Sequence, residues 1–255
     1  MRLATFNILH GRTVGDGVID ADRLHSAVKA LDPDVLALQE VDRHQARSGS
    51  TDQTAVAADA MGAVWARFVP AINGTPGRAY TPADPARPSA GPAYGIAMLS
   101  RLPVSDWREF RLPALPLRSP IRTTDGRWIL TKDEPRVAAS VVVEGSTGPL
   151  TVTTTHLSFV PGWNAIQLRR LLAQLTGMPE PQVLLGDLNM PNELPRSLAT
   201  WRRLIDAPTY PANHPTLQLD HVLARGLVGH AYEAEVVELA LSDHRAVVVD
   251  LLASA

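Results

Sequence analysis

Apolar residues in this chain come in short runs broken by Gly, Pro and Asp, and that punctuation restricts it to a strand-rich fold. Leu3–Ile8, Asp34–Glu40, Val64–Val69, Ile96–Ser100, Arg136–Val143, Leu150–Leu157, Gln182–Asp187, Leu219–Leu223, Tyr232–Val237 and Ala246–Leu252 are rich in Val, Thr and Leu. They are too short for helices and read as strands. Helical spacing is rarer. Leu24, Ala27, Val28 and Leu31 form one apolar stripe, with Asp20 or Asp22 as the cap and Pro33 beyond the end. Leu168, Leu171, Leu172 and Leu175 form another before Gly177, and the alanine-rich Thr51–Met61 ends at Gly62. So many strands exceed a simple doubly wound sheet. Two packed sheets with helices outside them accommodate both kinds of element. Asn73–Pro92 and Pro113–Pro135 read as long loops, which often border functional sites. A length of 255 residues, 45% hydrophobic, suits one domain over residues 1–255.

Composition removes several function classes. Lys and Arg total 24 against 26 Asp and Glu, a net charge of −2, which disfavours whole-surface affinity for nucleic acid or anionic lipid. Segment 101–136 departs from this, with Arg101, Arg108, Arg111, Arg118, Arg122, Arg127, Lys132 and Arg136 against Asp106, Glu109, Asp125, Asp133 and Glu134. Such a segment is either a solvated loop or an anion-attracting rim over a site. The absence of cysteine excludes thiolate metal sites and cysteine nucleophiles. No apolar run reaches the ~18–20 residues of a membrane span, and the first residues lack the pattern of a secretory signal. A soluble, cytoplasmic protein is the expectation, and nothing implies a protein partner.

Chemistry enters where polar residues interrupt apolar strands. Asn7 ends the first run, and Val35-Leu36-Ala37-Leu38 leads into Gln39-Glu40. At period two, Val152 and Thr154 share a face with His156, and Val183 and Leu185 share one with Asp187. Asp220-His221 interrupts another run, and Ser242-Asp243-His244 opens the last. If that last strand runs antiparallel to the others, these side chains meet at one sheet edge. Carboxylates and histidines crowded there repel unless something positive sits among them. Hard oxygen ligands without cysteine favour Mg²⁺ or Mn²⁺, and the Asp/His pairs supply a proton acceptor.

These residues fall in blocks: Thr5-Phe-Asn7-Ile-Leu-His-Gly11, Leu38-Gln39-Glu40-Val41-Asp42, Tyr94-Gly-Ile-Ala-Met-Leu-Ser100, Glu134-Pro-Arg136, Thr155-His156-Leu157-Ser158, Gly186-Asp187-Leu188-Asn189, Leu219-Asp220-His221-Val222 and Ser242-Asp243-His244-Arg245. In order and spacing they resemble the successive motifs of the endonuclease/exonuclease/phosphatase superfamily. The resemblance implies a four-layer α/β/β/α sandwich of two mixed, mostly antiparallel sheets, and metal-dependent cleavage of phosphoesters. It implies metal ligation by Glu40, Asn7 and Asp243, with Asn7 also positioning phosphate. Asp187 would orient or activate water, assisted by Asn189, which also holds phosphate. His244, oriented by Asp220, would be a general base or phosphate-stabilising group. His156 would donate to the phosphoryl oxygens or the leaving group. Abasic-site endonucleases of this superfamily carry an acid two positions after the Asn block, where this chain has Leu9.

Arg136 either reaches phosphate or pairs with Glu134. Trp163, opening a helix after the His156 strand, either reaches the site rim or anchors packing. His10 is expected to be solvated, and His25, His44, His214 and His230 match no motif and are expected at the surface. Few aromatics (5%) and little positive charge favour a small or lipid-type phosphodiester or phosphomonoester over nucleic acid, which remains the alternative substrate. A non-catalytic binding module is the third reading, against which the retention of Glu40, Asp187, Asn189, Asp220 and His244 counts.

Overall fold

Strands that are apolar on both faces must be covered on both sides. The computed structural model, which describes residues 1–122, 126–145, 148–191, 195, 200–227 and 231–252, shows how this is done. In chain order the first elements are β1 (Arg2–Asn7), α1 (Ala21–Leu31), β2 (Val35–Arg43), α2 (Gln53–Met61), β3 (Trp65–Gly74), β4 (Tyr80–Pro82), β5 (Ala93–Ser100) and β6 (Val104–Leu112). Next come β7 (Arg118–Arg122), β8 (Trp128–Lys132), β9 (Arg136–Gly145), β10 (Gly148–His156) and α3 (Trp163–Leu175). The chain continues through β11 (Gln182–Asp187), β12 (Arg202–Arg203), β13 (Asp220–Arg225), β14 (Tyr232–Val237) and β15 (Ala246–Leu251).

One sheet has the order β14-β15-β1-β2-β5-β3-β4 and the other β12-β13-β11-β10-β9-β6. Both are mixed and mostly antiparallel, with parallel pairs only at β1/β2 and β10/β11 among the described strands. Alternation sorts the core into layers. Leu3, Val35, Ala37, Val247 and Val249 face Val152, Val183, Leu185 and Val222 between the sheets. Phe6, Leu36, Leu38, Ala246 and Val248 face the other way, onto Leu24, Val28 and Leu31 of α1 and Ala57 and Met61 of α2. On the second sheet Leu184 and Leu223 meet Leu168, Leu171 and Leu175 of α3. The result is the four-layer sandwich. Helix starts follow local chemistry: Asp20 and Asp52 each accept two backbone N–H groups as N-caps of α1 and α2.

All ten expected strands form. The supposed loops are corrected in part. Residues 118–132 make a separate two-stranded sheet, β7 paired with β8, and β4 pairs with β3 inside 73–92. Pro120 within β7 made that segment read as loop, and an edge ribbon tolerates it because no outer strand needs its missing N–H. β6 is likewise new. Its mixed Asp106, Trp107, Arg108, Glu109 pattern suits a sheet-edge strand that carries charge to block further pairing.

Gly186 lets β11 reach the site. Its φ is 143°, and a Cβ there would overlap the carbonyl oxygen of Thr155 on β10. Gly186→Ala is expected to lower stability by at least ~2 kcal/mol through overlap and strain, read by denaturant unfolding. An unchanged midpoint would contradict this. Among the described residues, no helix is long and apolar enough to cross a membrane.

Candidate active site

Parity decides which side chains meet. Asn7 follows Leu3 and Thr5 on the face of β1 that looks between the sheets, His156 follows Val152 on β10, and Asp187 follows Val183 and Leu185 on β11. The parallel pairing of β10 and β11 sets His156 beside Asp187, and the antiparallel pairing of β13 sets Asp220 opposite Asp187. β15 runs antiparallel to β1, so the residues preceding it arrive at the same end. The mouth between the sheets is a cleft of about 730 Å³ lined by Glu40, Arg136, His156, Asp187, Asn189, Asp243 and His244. Asn7 joins them through hydrogen bonds.

Glu40 breaks the parity rule. Alternation would turn it with Leu36 and Leu38 toward the helices. A bulge between Leu38 and Val41, with Glu40 at φ 57°, turns it into the cleft instead. Beneath it Gln39 bridges the sheets, its Nε2 donating to Thr5 Oγ1 and Thr154 Oγ1, both at 3.0 Å.

Asp187 is buried and held at both oxygens: Oδ1 accepts the Asn189 N–H at 2.9 Å and Oδ2 accepts Asn7 Nδ2 at 2.9 Å. Asn7 Nδ2 also donates to Glu40 Oε1 at 3.2 Å, while Asn7 Oδ1 accepts the Leu9 N–H. Asn7 thus ties the two carboxylates together as a donor. Asn189, at φ 50°, donates its side-chain amide to the Leu157 carbonyl.

His244 Nδ1 donates to Asp220 Oδ2 at 2.8 Å, and Thr209 Oγ1 donates to the same oxygen at 2.6 Å. The His244 Nε2 then faces Asp187 Oδ2 at 3.8 Å, with the Tyr210 ring 5.0 Å from the imidazole. Burial works against the charged imidazole, yet Asp220, Asp187 and Asp243 outweigh it and push its pKa up to about 10. Burial pushes Asp187 up to about 7. His156 Nε2 lies 3.5 Å from Asp187 Oδ2. Burial, then the Arg136 charge, holds His156 well below its usual range, so its ring is neutral. Glu40 is raised by burial and by Asp243.

Two groups here could hold a cation. Asp187, Asp220 and His244 have candidate ligand atoms within 4.8 Å of one another. The direct Nδ1–Oδ2 bond, however, commits Asp220 and His244 to each other. Asp220 Oδ1 and Asp243 Oδ1 are both buried with no hydrogen-bond partner, but Asp243 is not tied to an imidazole and its charge repels Glu40 in the same cleft, so Glu40 and Asp243 fit better. Hard, unpaired carboxylate oxygens of this kind suit a divalent cation.

The remaining expectations resolve individually. Arg136 lines the cleft with Nη1 3.2 Å from His156 Nδ1 and 3.4 Å from Nε2, and among the described residues it makes no ion pair with Glu134, which lines the same cleft. Trp163 donates Nε1 to the Pro113 carbonyl and lies outside the cleft lining, an anchor for the segment before β7. His10 is half-buried rather than solvated; burial, aided by Arg47 and Arg12, lowers its pKa to about 4. His44 and His214 are exposed, His25 is half-buried near Asp59, and His230 lies outside the described residues. Tyr94, from the Tyr94–Ser100 block, also lines the cleft, while Thr209 and Tyr210 were not anticipated, since no spacing in the sequence ties them to the motifs.

This sandwich, with its mouth of carboxylates, amides and imidazoles, is an architecture of phosphoester hydrolases. The chain belongs to the endonuclease/exonuclease/phosphatase family, whose family model matches residues 4–244. Among solved structures it is similar to an endonuclease/exonuclease/phosphatase from Beutenbergia cavernae, at 23% identity and TM-score 0.72, covering 98% of this chain and 71% of that one. It is also similar to a mannosyl-6-phosphatase from Bacteroides thetaiotaomicron, at 14% identity and TM-score 0.63, covering 99% and 100%. A sphingomyelinase C from Streptomyces griseocarneus matches at 17% identity and TM-score 0.60, covering 98% of each chain. At these identities the likeness establishes the fold. No curated protein matches the chain in sequence.

Proposed function

We propose that the protein is a divalent-metal-dependent hydrolase of a small or lipid-type phosphoester, with Glu40 and Asp243 holding Mg²⁺ or Mn²⁺. The observation that carries this reading is the meeting of Glu40, Asp243, Asp187, Asn189, His156 and His244 in one cleft, with an unpartnered carboxylate oxygen among them. When bound, the cation offsets the negative charge of the substrate and polarises phosphorus.

The chain's own residues supply the rest. Asp187, fixed at both oxygens, orients water and accepts its proton as the water oxygen attacks phosphorus in line with the leaving oxygen. His244, oriented by Asp220 with Nε2 free toward the cleft, donates to a non-bridging oxygen as charge builds there. Arg136 Nη1 lies over the His156 ring, 3.2 Å from Nδ1 and 3.4 Å from Nε2, and Nε2, facing Asp187 Oδ2 at 3.5 Å, carries the proton and donates to a phosphoryl or leaving oxygen. Asn189 and Arg136 hold phosphate, and Asn7 aligns Glu40 with Asp187.

The test is hydrolysis of generic phosphodiesters, phosphomonoesters and plasmid DNA with Mg²⁺, Mn²⁺ or EDTA. Small-ester turnover that EDTA abolishes and Mg²⁺ or Mn²⁺ restores is expected, with little sensitivity to salt. Full activity in EDTA overturns the metal assignment. Plasmid nicking that falls steeply with salt would instead identify a nuclease.

A further inference from the structure

The ribbon of β7 and β8 stands apart from both main sheets, and a lone two-stranded ribbon is at best marginal in water. It is also unusually apolar for an exposed element. Leu117, immediately before β7, and Trp128 are each 69% exposed, Leu130 is 64% and Ile129 is 45%. Along β8, Trp128 and Leu130 point to one face and Ile129 to the other, so no single turn of the ribbon hides them. Outside the ribbon the exposed large apolar residues are Val14 and Val18 in one turn, and Val64, Ile166, Leu217 and Leu252 at scattered positions in the sequence. An apolar patch concentrated in one ribbon marks an interaction surface.

Charge identifies the occupant. Arg118 and Lys132 are directly paired across the base of the ribbon, and Arg127 precedes Trp128. The ribbon lies within the one basic segment of a chain that is otherwise net acidic. An indole with aliphatic neighbours and flanking cations is the composition of a lipid interface anchor, where the apolar residues enter the acyl boundary and the cations meet anionic head groups. Arg118, Leu130, Thr131 and Lys132 also line the catalytic cleft, with Phe159 and Leu219. Seating the ribbon on a bilayer therefore brings the cleft mouth to the head groups.

We propose that β7 and β8 dock the protein on an anionic lipid surface and present a lipid-borne phosphoester to the cleft. The substrate part of this proposal rests on the hydrolase reading; the docking part does not.

The experiment is co-sedimentation of the full chain with phosphatidylcholine vesicles with and without phosphatidylglycerol, run in EDTA so that turnover plays no part. Wild type is expected to sediment with the phosphatidylglycerol vesicles, less so as salt rises. The double variant Leu117→Ser/Trp128→Ser should bind about tenfold or more weakly. Its thermal unfolding and its hydrolysis of a soluble ester should stay unchanged. Trp128→Phe, which keeps most of the apolar area, should retain binding, so a misfolded double variant does not decide the matter. The proposal is overturned if wild type stays in the supernatant at low salt or if the folded double variant sediments as well as wild type. It is equally overturned if wild type is a dimer by light scattering and the double variant a monomer, since the ribbon then covers a second copy. Failure here with normal metal-dependent turnover of soluble esters leaves the hydrolase reading standing.

Discussion

His244→Ala is expected to lower kcat by roughly 10³-fold on any substrate the protein hydrolyses, with a smaller change in KM. The imidazole is placed by a chain of contacts. The His244 backbone N–H donates to Ser242 Oγ, Ser242 donates in turn to the Asn7 carbonyl, and Nδ1 donates to Asp220. Asp220 is itself fixed by Thr209. With the other polar directions occupied, Nε2 is left to the cleft, where the substrate's charge develops. The alanine variant also strands the buried Asp220 carboxylate without its imidazole, at a cost of roughly 3–5 kcal/mol. His244→Asn separates the two effects, because its amide can still donate toward Asp220. A folded His244→Asn protein should remain as inactive as the alanine variant. Wild-type turnover in a folded variant at this position would remove His244 from the chemistry.

Glu40→Gln is expected to produce a comparable loss of turnover, roughly 10³-fold, together with loss of divalent-ion binding. In the metal-free protein Glu40 stands close enough to Asp243 for the Asp243 charge to disfavour its ionisation. Glutamine removes one of those charges while keeping the shape of the side chain and an acceptor for Asn7 Nδ2. The variant should therefore unfold, without metal, at the same temperature as wild type or above it. Wild type should gain stability on titration with Mn²⁺, as any ligand of the native state demands, and the variant should not. A Glu40→Gln protein with the same Mn²⁺-induced shift would move the cation away from Glu40. The natural alternative would then be the Asp187, Asp220 and His244 group.

The two variants probe different parts of one apparatus. His244 reports on donors built by side-chain hydrogen bonds, and Glu40 reports on carboxylates placed by backbone geometry. A chain in which Glu40→Gln abolished metal binding while His244→Ala left turnover intact would keep its metal site, and the proposed role of the imidazole would fail.

Much of this arrangement could be read from residue order. Two-residue periodicity placed Asn7, His156 and Asp187 on the same faces as Leu3, Val152 and Val183 respectively, because side-chain alternation in a strand is fixed by covalent geometry. Caps such as Asp20 and Asp52 follow equally local rules, since they satisfy backbone groups two or three residues away. The successive motif blocks carried the family.

Other features depended on contacts between distant parts of the chain. Glu40 faces the cleft only because a bulge reverses its strand parity, and Thr209 reaches Asp220 from a segment with no periodic pattern. Arg136 lies buried against the His156 ring in the cleft. The β7/β8 ribbon was hidden by Pro120 and by apolar residues that no neighbouring layer covers. Local sequence determined the strands, their faces and the kinds of chemical group at their ends, because those follow from short-range geometry and burial. The distances between those groups, and hence which carboxylate meets a cation and which imidazole meets a carboxylate, were decided by sheet register and packing, which join residues as far apart in sequence as Asn7 and Asp187 or Asn7 and Ser242.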